Sequence, residues 1–140
     1  MKHKTFFILL LVFSLFLTGC ADSPERAAKE WLDALANLDG NKLLDRTCLA
    51  QRPAVQEEGL WSSVFALLPH AFGLNIQSKT DISGLSFSRT SINADETAAN
   101  VRVYGEIRVA VLAFAQSEQA DETWQMIKEN DVWRWCGVAQ

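Results

Sequence analysis

The segment Val101-Arg102-Val103-Tyr104-Gly105-Glu106-Ile107-Arg108-Val109-Ala110-Val111 decides the fold. Val101, Val103, Ile107, Val109 and Val111 share one parity, with Gly105 among them, and Arg102, Tyr104, Glu106 and Arg108 take the other. Successive side chains of a strand point to opposite faces, so this period of two writes one face for a core and one for water. A glycine in mid-strand marks a bulge or sharp bend of the kind that curls a sheet around helices. The polar row Arg102, Tyr104, Glu106 and Arg108 is the candidate interaction face. It reads either as a solvated sheet surface or as an interface with a second copy or another protein.

Downstream, a strand is expected over Trp124–Glu129, a hairpin turn at Asn130-Asp131 and a last strand over Val132–Val138, with Trp133 and Trp135 on one face. Upstream, Leu85, Phe87 and Arg89 alternate with Ser86, Ser88 and Thr90, and Asn93-Ala94-Asp95-Glu96 reads as a turn. Before Ser78 the period is helical. Ser23 suits an N-cap, Pro24 the first helical position and Glu25 the positive helix end. Ala28, Trp31, Leu32, Leu35 and Leu38 form one stripe, which Asp39-Gly40 is expected to stop. Asn41 then caps a shorter helix through Leu43, Leu44, Thr47 and Cys48. After a break at Gln51-Arg52-Pro53, a third helix is expected from about Gln56, burying Leu60, Trp61, Val64, Phe65 and Leu68 and closing at Pro69. Helices followed by a meander of strands predict an α+β fold, with N-terminal helices packed on a curved antiparallel sheet.

Residues 1–19 do not belong to that pattern. Lys2 and Lys4 precede an apolar run from Phe6 to Leu17 broken only by Ser14. A basic start, a short apolar stretch and small residues before a cut site describe a secretory signal. The run is too short to span a bilayer, which takes roughly 20 residues. Leu17-Thr18-Gly19-Cys20 resembles the lipobox of bacterial lipoproteins. The resemblance implies cleavage after Gly19, a diacylglycerol on the Cys20 sulfur, and a domain held extracytoplasmically by its lipid. Ala21 stands at the second mature position, where an aspartate would retain some lipoproteins in the inner membrane; in a diderm the outer membrane is therefore favoured. The chain divides into a leader at 1–19, a lipidated tether at 20–22 and one domain at 23–140.

Without the leader the chain keeps eleven basic side chains against 17 acidic ones, a net charge of −6. That argues against nucleic acid as a partner and against electrostatic adhesion to anionic lipid. With Cys20 acylated, Cys48 and Cys136 remain in an oxidising compartment. They read either as one disulfide between an early helix and the last strand or as two buried thiols.

The pattern of the domain resembles the nuclear-transport-factor-2-like superfamily, in its small secreted lipoprotein branch. The likeness rests on Ser23-Pro24-Glu25 opening a Trp-containing helix, on Leu38-Asp39-Gly40 ending it, and on Asp121-Glu122-Thr123-Trp124 and the closing Asn130–Cys136 hairpin. It implies a cone: a bent sheet wrapping the helices, with a pocket at the open end. Some members are isomerases or dehydratases using Asp/His pairs there, and many bind a ligand or partner without chemistry, often as dimers.

His70 is the one histidine beyond the leader. It either caps helix carbonyls or serves as a general base with Asp45 or Asp81. Histidine and cysteine spacing gives no metal site, and neither a serine nucleophile elbow nor a phosphate-cradling glycine loop is present. No cofactor is implied. Trp31, Trp61, Trp124, Trp133 and Trp135 serve either as core or as the walls of an apolar pocket. The expectation is a lipid-anchored, non-catalytic module that binds a ligand or a partner. The alternatives are a pocket enzyme using His70 and a structural accessory of an envelope complex.

Overall fold

The computed structural model describes residues 22–57, 78–111 and 114–139. Helix α1 (Pro24–Ala36) starts where the capping residues place it: the Ser23 hydroxyl accepts from the Arg26 N–H at 3.2 Å. Its buried face is Ala27, Ala28, Trp31 and Ala34, whereas Leu35 is 40% and Leu38 58% exposed. The expected stripe is thus rotated. Beyond buried Pro24 at its start, alanines at three of the four buried positions bring the helix close to the sheet, Trp31 fills the gap, and Leu35 swings to the flank. The stop differs too: Asn37 ends the helix and Leu38 turns left-handed at φ 55°. Helix α2 (Gly40–Asp45) includes Gly40, and its cap is Asp39 rather than Asn41, the carboxylate accepting from the Lys42 N–H at 3.1 Å.

Thr47 and Cys48 do not continue α2. Thr47 forms a parallel bridge to Trp135; the Trp135 N–H donates to the Arg46 carbonyl at 2.8 Å and the Cys48 N–H to the Trp135 carbonyl at 2.9 Å. Residues 52–57 are helical, several positions ahead of the expected start. Pro53 sits in the first turn, where its missing N–H would have had no partner. The remainder of that expected helix, from Glu58 through Trp61 and Leu68 to Pro69 and His70, lies outside the described residues.

Four strands follow, β1 (Ser78–Ile92), β2 (Ala98–Val111), β3 (Phe114–Glu129) and β4 (Val132–Val138), in an antiparallel sheet of order β1-β2-β3-β4. The α+β architecture of helices against an antiparallel sheet is as expected. Strand β3 begins ten residues before Trp124, because pairing with β2 imposes the strand where the sequence offers no apolar alternation. Both turns match their residues. The Asn93 side-chain oxygen accepts from the N–H groups of Thr97 and Ala98, at 2.8 and 2.9 Å. Asn130 and Asp131 both have positive φ, 52° and 63°, as a two-residue type I′ hairpin requires.

The sheet breaks its register opposite Ile107, close to Gly105. Asp81 pairs with Arg108 but Gly84 with Glu106, so β1 carries one extra residue there. Gly105 has φ 128°, and a Cβ on it would lie 2.3 Å from the Gly84 carbonyl oxygen. Gly84 and Gly105 are diagonal neighbours across the two strands, paired with Glu106 and Leu85, and their bare Cα atoms let the strands close up where β1 bulges.

The core lies on the α1 side of the sheet: Val101, Val103, Trp124, Met126 and Trp133 against Ala27, Ala28, Trp31, Leu43 and Val55. Thr47 is its buried polar residue; its hydroxyl accepts from the Trp31 indole N–H at 2.9 Å and donates to the Leu43 carbonyl at 2.7 Å. Thr47→Val keeps the shape and orphans both groups, so it should cost about 1–3 kcal/mol. Urea denaturation would read this as a lower midpoint at unchanged slope, with Thr47→Ser retaining most of the stability. Cys48 and Cys136 form a disulfide, S–S 2.06 Å and Cα–Cα 5.3 Å. It joins the segment after α2, rather than the helix itself, to β4.

Candidate functional site: a tryptophan-walled cleft

The α1 stripe and the inner parity of β2 and β3 converge on a cleft of about 380 Å³. Leu32 and Leu35 form its helix side, Val103 and Ile107 its β2 side, and Trp31, Trp124 and Trp135 its wall. Trp31 stacks on Trp135 with centroids 4.3 Å apart and meets Trp124 edge-on at 5.3 Å. The two sequence-level alternatives for these side chains therefore coincide: Trp31 and Trp124 are core residues, and together with half-buried Trp135 they also face the cleft. Trp133 is core alone, and Trp61 lies outside the described residues.

Inner-parity positions of β3 beyond Trp124 give the rim. Glu122 and Glu118 sit on the α1 side, exposed because the helix ends before reaching them, and Gln119 adjoins them. The Glu122 carboxylate accepts from the Trp124 indole at 3.0 Å. Glu118 meets no cation among the described residues. The Trp135 indole N–H is buried with no acceptor among the described residues. Such a donor is a cost of about 1–3 kcal/mol that a bound acceptor can remove. Size, apolar lining and a few polar groups match the general character of small-molecule sites. The flank position of Leu35 and the Glu118–Glu122 rim were not legible in sequence, because the first needs the helix rotation and the second the full extent of β3.

The outer row of β2 is exposed and internally paired. Arg102 donates to both Asp121 oxygens at 2.7 and 2.8 Å and lies 5.3 Å from the Tyr104 ring centre. Arg108 donates to both Glu106 oxygens at 3.1 and 3.2 Å. Hydrogen bonding from Arg102, together with its charge, outweighs desolvation and holds Asp121 below the ordinary carboxylate range; hydrogen bonds from Arg108 and then Ser117, followed by the Arg108 charge, do the same for Glu106. Pairs this exposed contribute little to stability. The four residues share one surface, but each charge is satisfied within the sheet.

A second convergence lies where the chain enters the domain. The Asp22 carboxylate accepts from Arg26, from Arg46 at 3.2 Å to each oxygen, and from the Trp133 N–H at 2.8 Å. Arg46 also pairs with Glu30 at 2.5 Å. Burial pushes the Asp22 carboxyl up, but the Trp133 N–H and the two arginines outweigh it and hold it below its usual value.

The acid–base set expected of an enzyme is not assembled among the described residues. Asp45 ends α2, its carbonyl accepting from Arg134, whereas Asp81 lies on the bulge of β1, accepting from the Ser83 N–H at 2.9 Å. His70 lies outside the described residues. No group of three potential metal ligands occurs among the described residues, and none of the described helices is long and apolar enough to cross a membrane. No protein family, curated protein or solved structure matches the chain.

Proposed function

We propose that the protein is a lipid-anchored module of the bacterial cell envelope that binds a small amphipathic ligand in the tryptophan-walled cleft and performs no chemistry on it. The cleft carries this reading: apolar walls would take an apolar body, and Glu118, Gln119 and Glu122 would take a cationic or hydrogen-donating head. A leader ending in Leu17-Thr18-Gly19-Cys20 supports the anchor, and the Cys48–Cys136 disulfide suits an oxidising compartment. A nuclear-transport-factor-2-like cone, with its pocket at the open end, is the fold family that accords with such a cleft.

Octylamine, octanol and octanoate separate the contributions of tail and head. Tryptophan emission should saturate with octylamine at the lowest concentration and with octanoate at the highest. Leu35→Lys places a positive charge in the cleft at a position exposed enough to leave the core intact, and it should weaken octylamine at least tenfold, about 1.4 kcal/mol. Equal titrations for wild type and Leu35→Lys would exclude the cleft as the site.

A further inference from the structure

The geometry points to Asp22 as a clasp that fixes the lipid-bearing end of the chain to one end of the domain, so that the domain stands end-on to the membrane with its cleft at the far end. This rests on the anchoring at Cys20 given above. Between Cys20 and Asp22 there is one residue, Ala21. Two Cα steps span at most about 8 Å. A loose N-terminus would lengthen that tether, but Asp22 is held by three separate elements: Arg26 on α1, Arg46 after α2, and the Trp133 N–H at the start of β4. The slack ends at Ala21.

The clasp also decides which end of the sheet faces lipid. Trp133 lies two residues past the Asn130-Asp131 turn and pairs with Lys128, whose N–H donates to the Thr97 carbonyl in the β1–β2 turn. Both turns therefore stand at the end of the sheet where Asp22 is fastened. Glu25 at the start of α1 pairs with Arg89 near the same end of β1. The cleft lies along the other direction of every element. Leu35 is about 18 Å along α1 from Ser23, at roughly 1.5 Å per residue. Glu118 is about 36 Å along β3 from Glu129, at roughly 3.3 Å per residue. A ligand reaches such a cleft from the aqueous side and not from the bilayer holding the anchor.

Full-length acylated protein in phosphatidylcholine vesicles carrying a headgroup nitroxide tests this, with a dye clicked onto an azidophenylalanine at Asp95 in the β1–β2 turn or at Gln116, both exposed. Quenching at Asp95 should exceed that at Gln116 at least threefold. A six-residue Gly/Ser insertion between Ala21 and Asp22, which leaves the clasp intact, should reduce that ratio to less than half, and Asp22→Ala should move it the same way. Equal quenching at both sites in vesicle-bound protein of acylated mass, or a ratio that the insertion leaves unchanged, overturns the clasp while leaving the anchor standing. An unacylated Cys20 in protein that washes off vesicles overturns the anchoring reading, and the clasp with it.

Discussion

Gly105→Ala is expected to destabilise the domain by about 3–5 kcal/mol, a large fraction of what a small domain has. Two costs add. The first is conformational: φ at 128° is open to glycine and strained for any side chain, by about 1–3 kcal/mol. The second is steric. The new Cβ would sit 2.3 Å from the Gly84 carbonyl oxygen and 3.2 Å from the Leu85 Cα, and neither is the movable end of a side chain. Relief requires β1 and β2 to part at the bulge, next to Val103 of the core. Gly40→Ala is the internal control: nothing lies within 4 Å of its Cβ, and the position is the first residue of α2. Alanine there should stabilise by about 0.5–1 kcal/mol. Chemical denaturation of the two variants should therefore move in opposite directions, and a Gly105→Ala midpoint at or above wild type would remove the close-approach account of the bulge.

Opening the Cys48–Cys136 disulfide should cost about 4–5 kcal/mol in the chain-entropy account, because it closes a loop of 88 residues. The loss has a place as well as a size. Cys48 is fully buried, and Arg46, Thr47 and Cys48 meet β4 through one bridge, two backbone hydrogen bonds to Trp135 and the Arg46 guanidinium on the Trp133 carbonyl. Without the covalent link, α2 and its tail are joined to β4 by non-covalent contacts alone, these and the Arg134 bond to the Asp45 carbonyl among them. Cys48→Ala/Cys136→Ala should therefore unfold at markedly lower urea, and protection from amide exchange should fall first at Trp135 and Cys48. Reductant should shift the wild type likewise and leave the double variant unmoved. A double variant as stable as the oxidised protein would mean the denatured chain is already compact, leaving the disulfide little entropy to remove.

The parts of this fold legible from sequence are those where one local rule suffices. Ser23-Pro24-Glu25 opens α1 by capping, Asn130-Asp131 turns by accepting positive φ, and Val101 and Val103 alternate with Arg102 and Tyr104 as a half-buried strand must. The failures are where partners decide. Leu35 and Leu38 continue an ideal stripe, yet alanine-mediated approach to the sheet rotates Leu35 out, and Leu38 falls beyond the helix end at Asn37. Gln116 to Thr123 carries no apolar alternation at all, and is a strand because β2 offers it a full ladder. Gly105 announced a bend, but its mate Gly84 shows only in the register. The cleft inherits these failures, since it is built from the rotated leucine and from the unannounced half of β3. The charged row of β2 was legible as a row, whereas its internal pairing depends on Asp121 across the strand.

That same half of β3 has an outer edge that no strand pairs before Trp124 among the described residues. An open ladder of N–H and C=O groups is a template for joining another chain. Its side chains answer the hazard: Gln116 to Thr123 holds Glu118, Asp121 and Glu122 and no lysine or arginine, and among the described residues only Asp121 is paired with a cation, Arg102 of β2. Two copies meeting along this edge would bring acid-rich segments together, so repulsion guards the ladder against polymerisation.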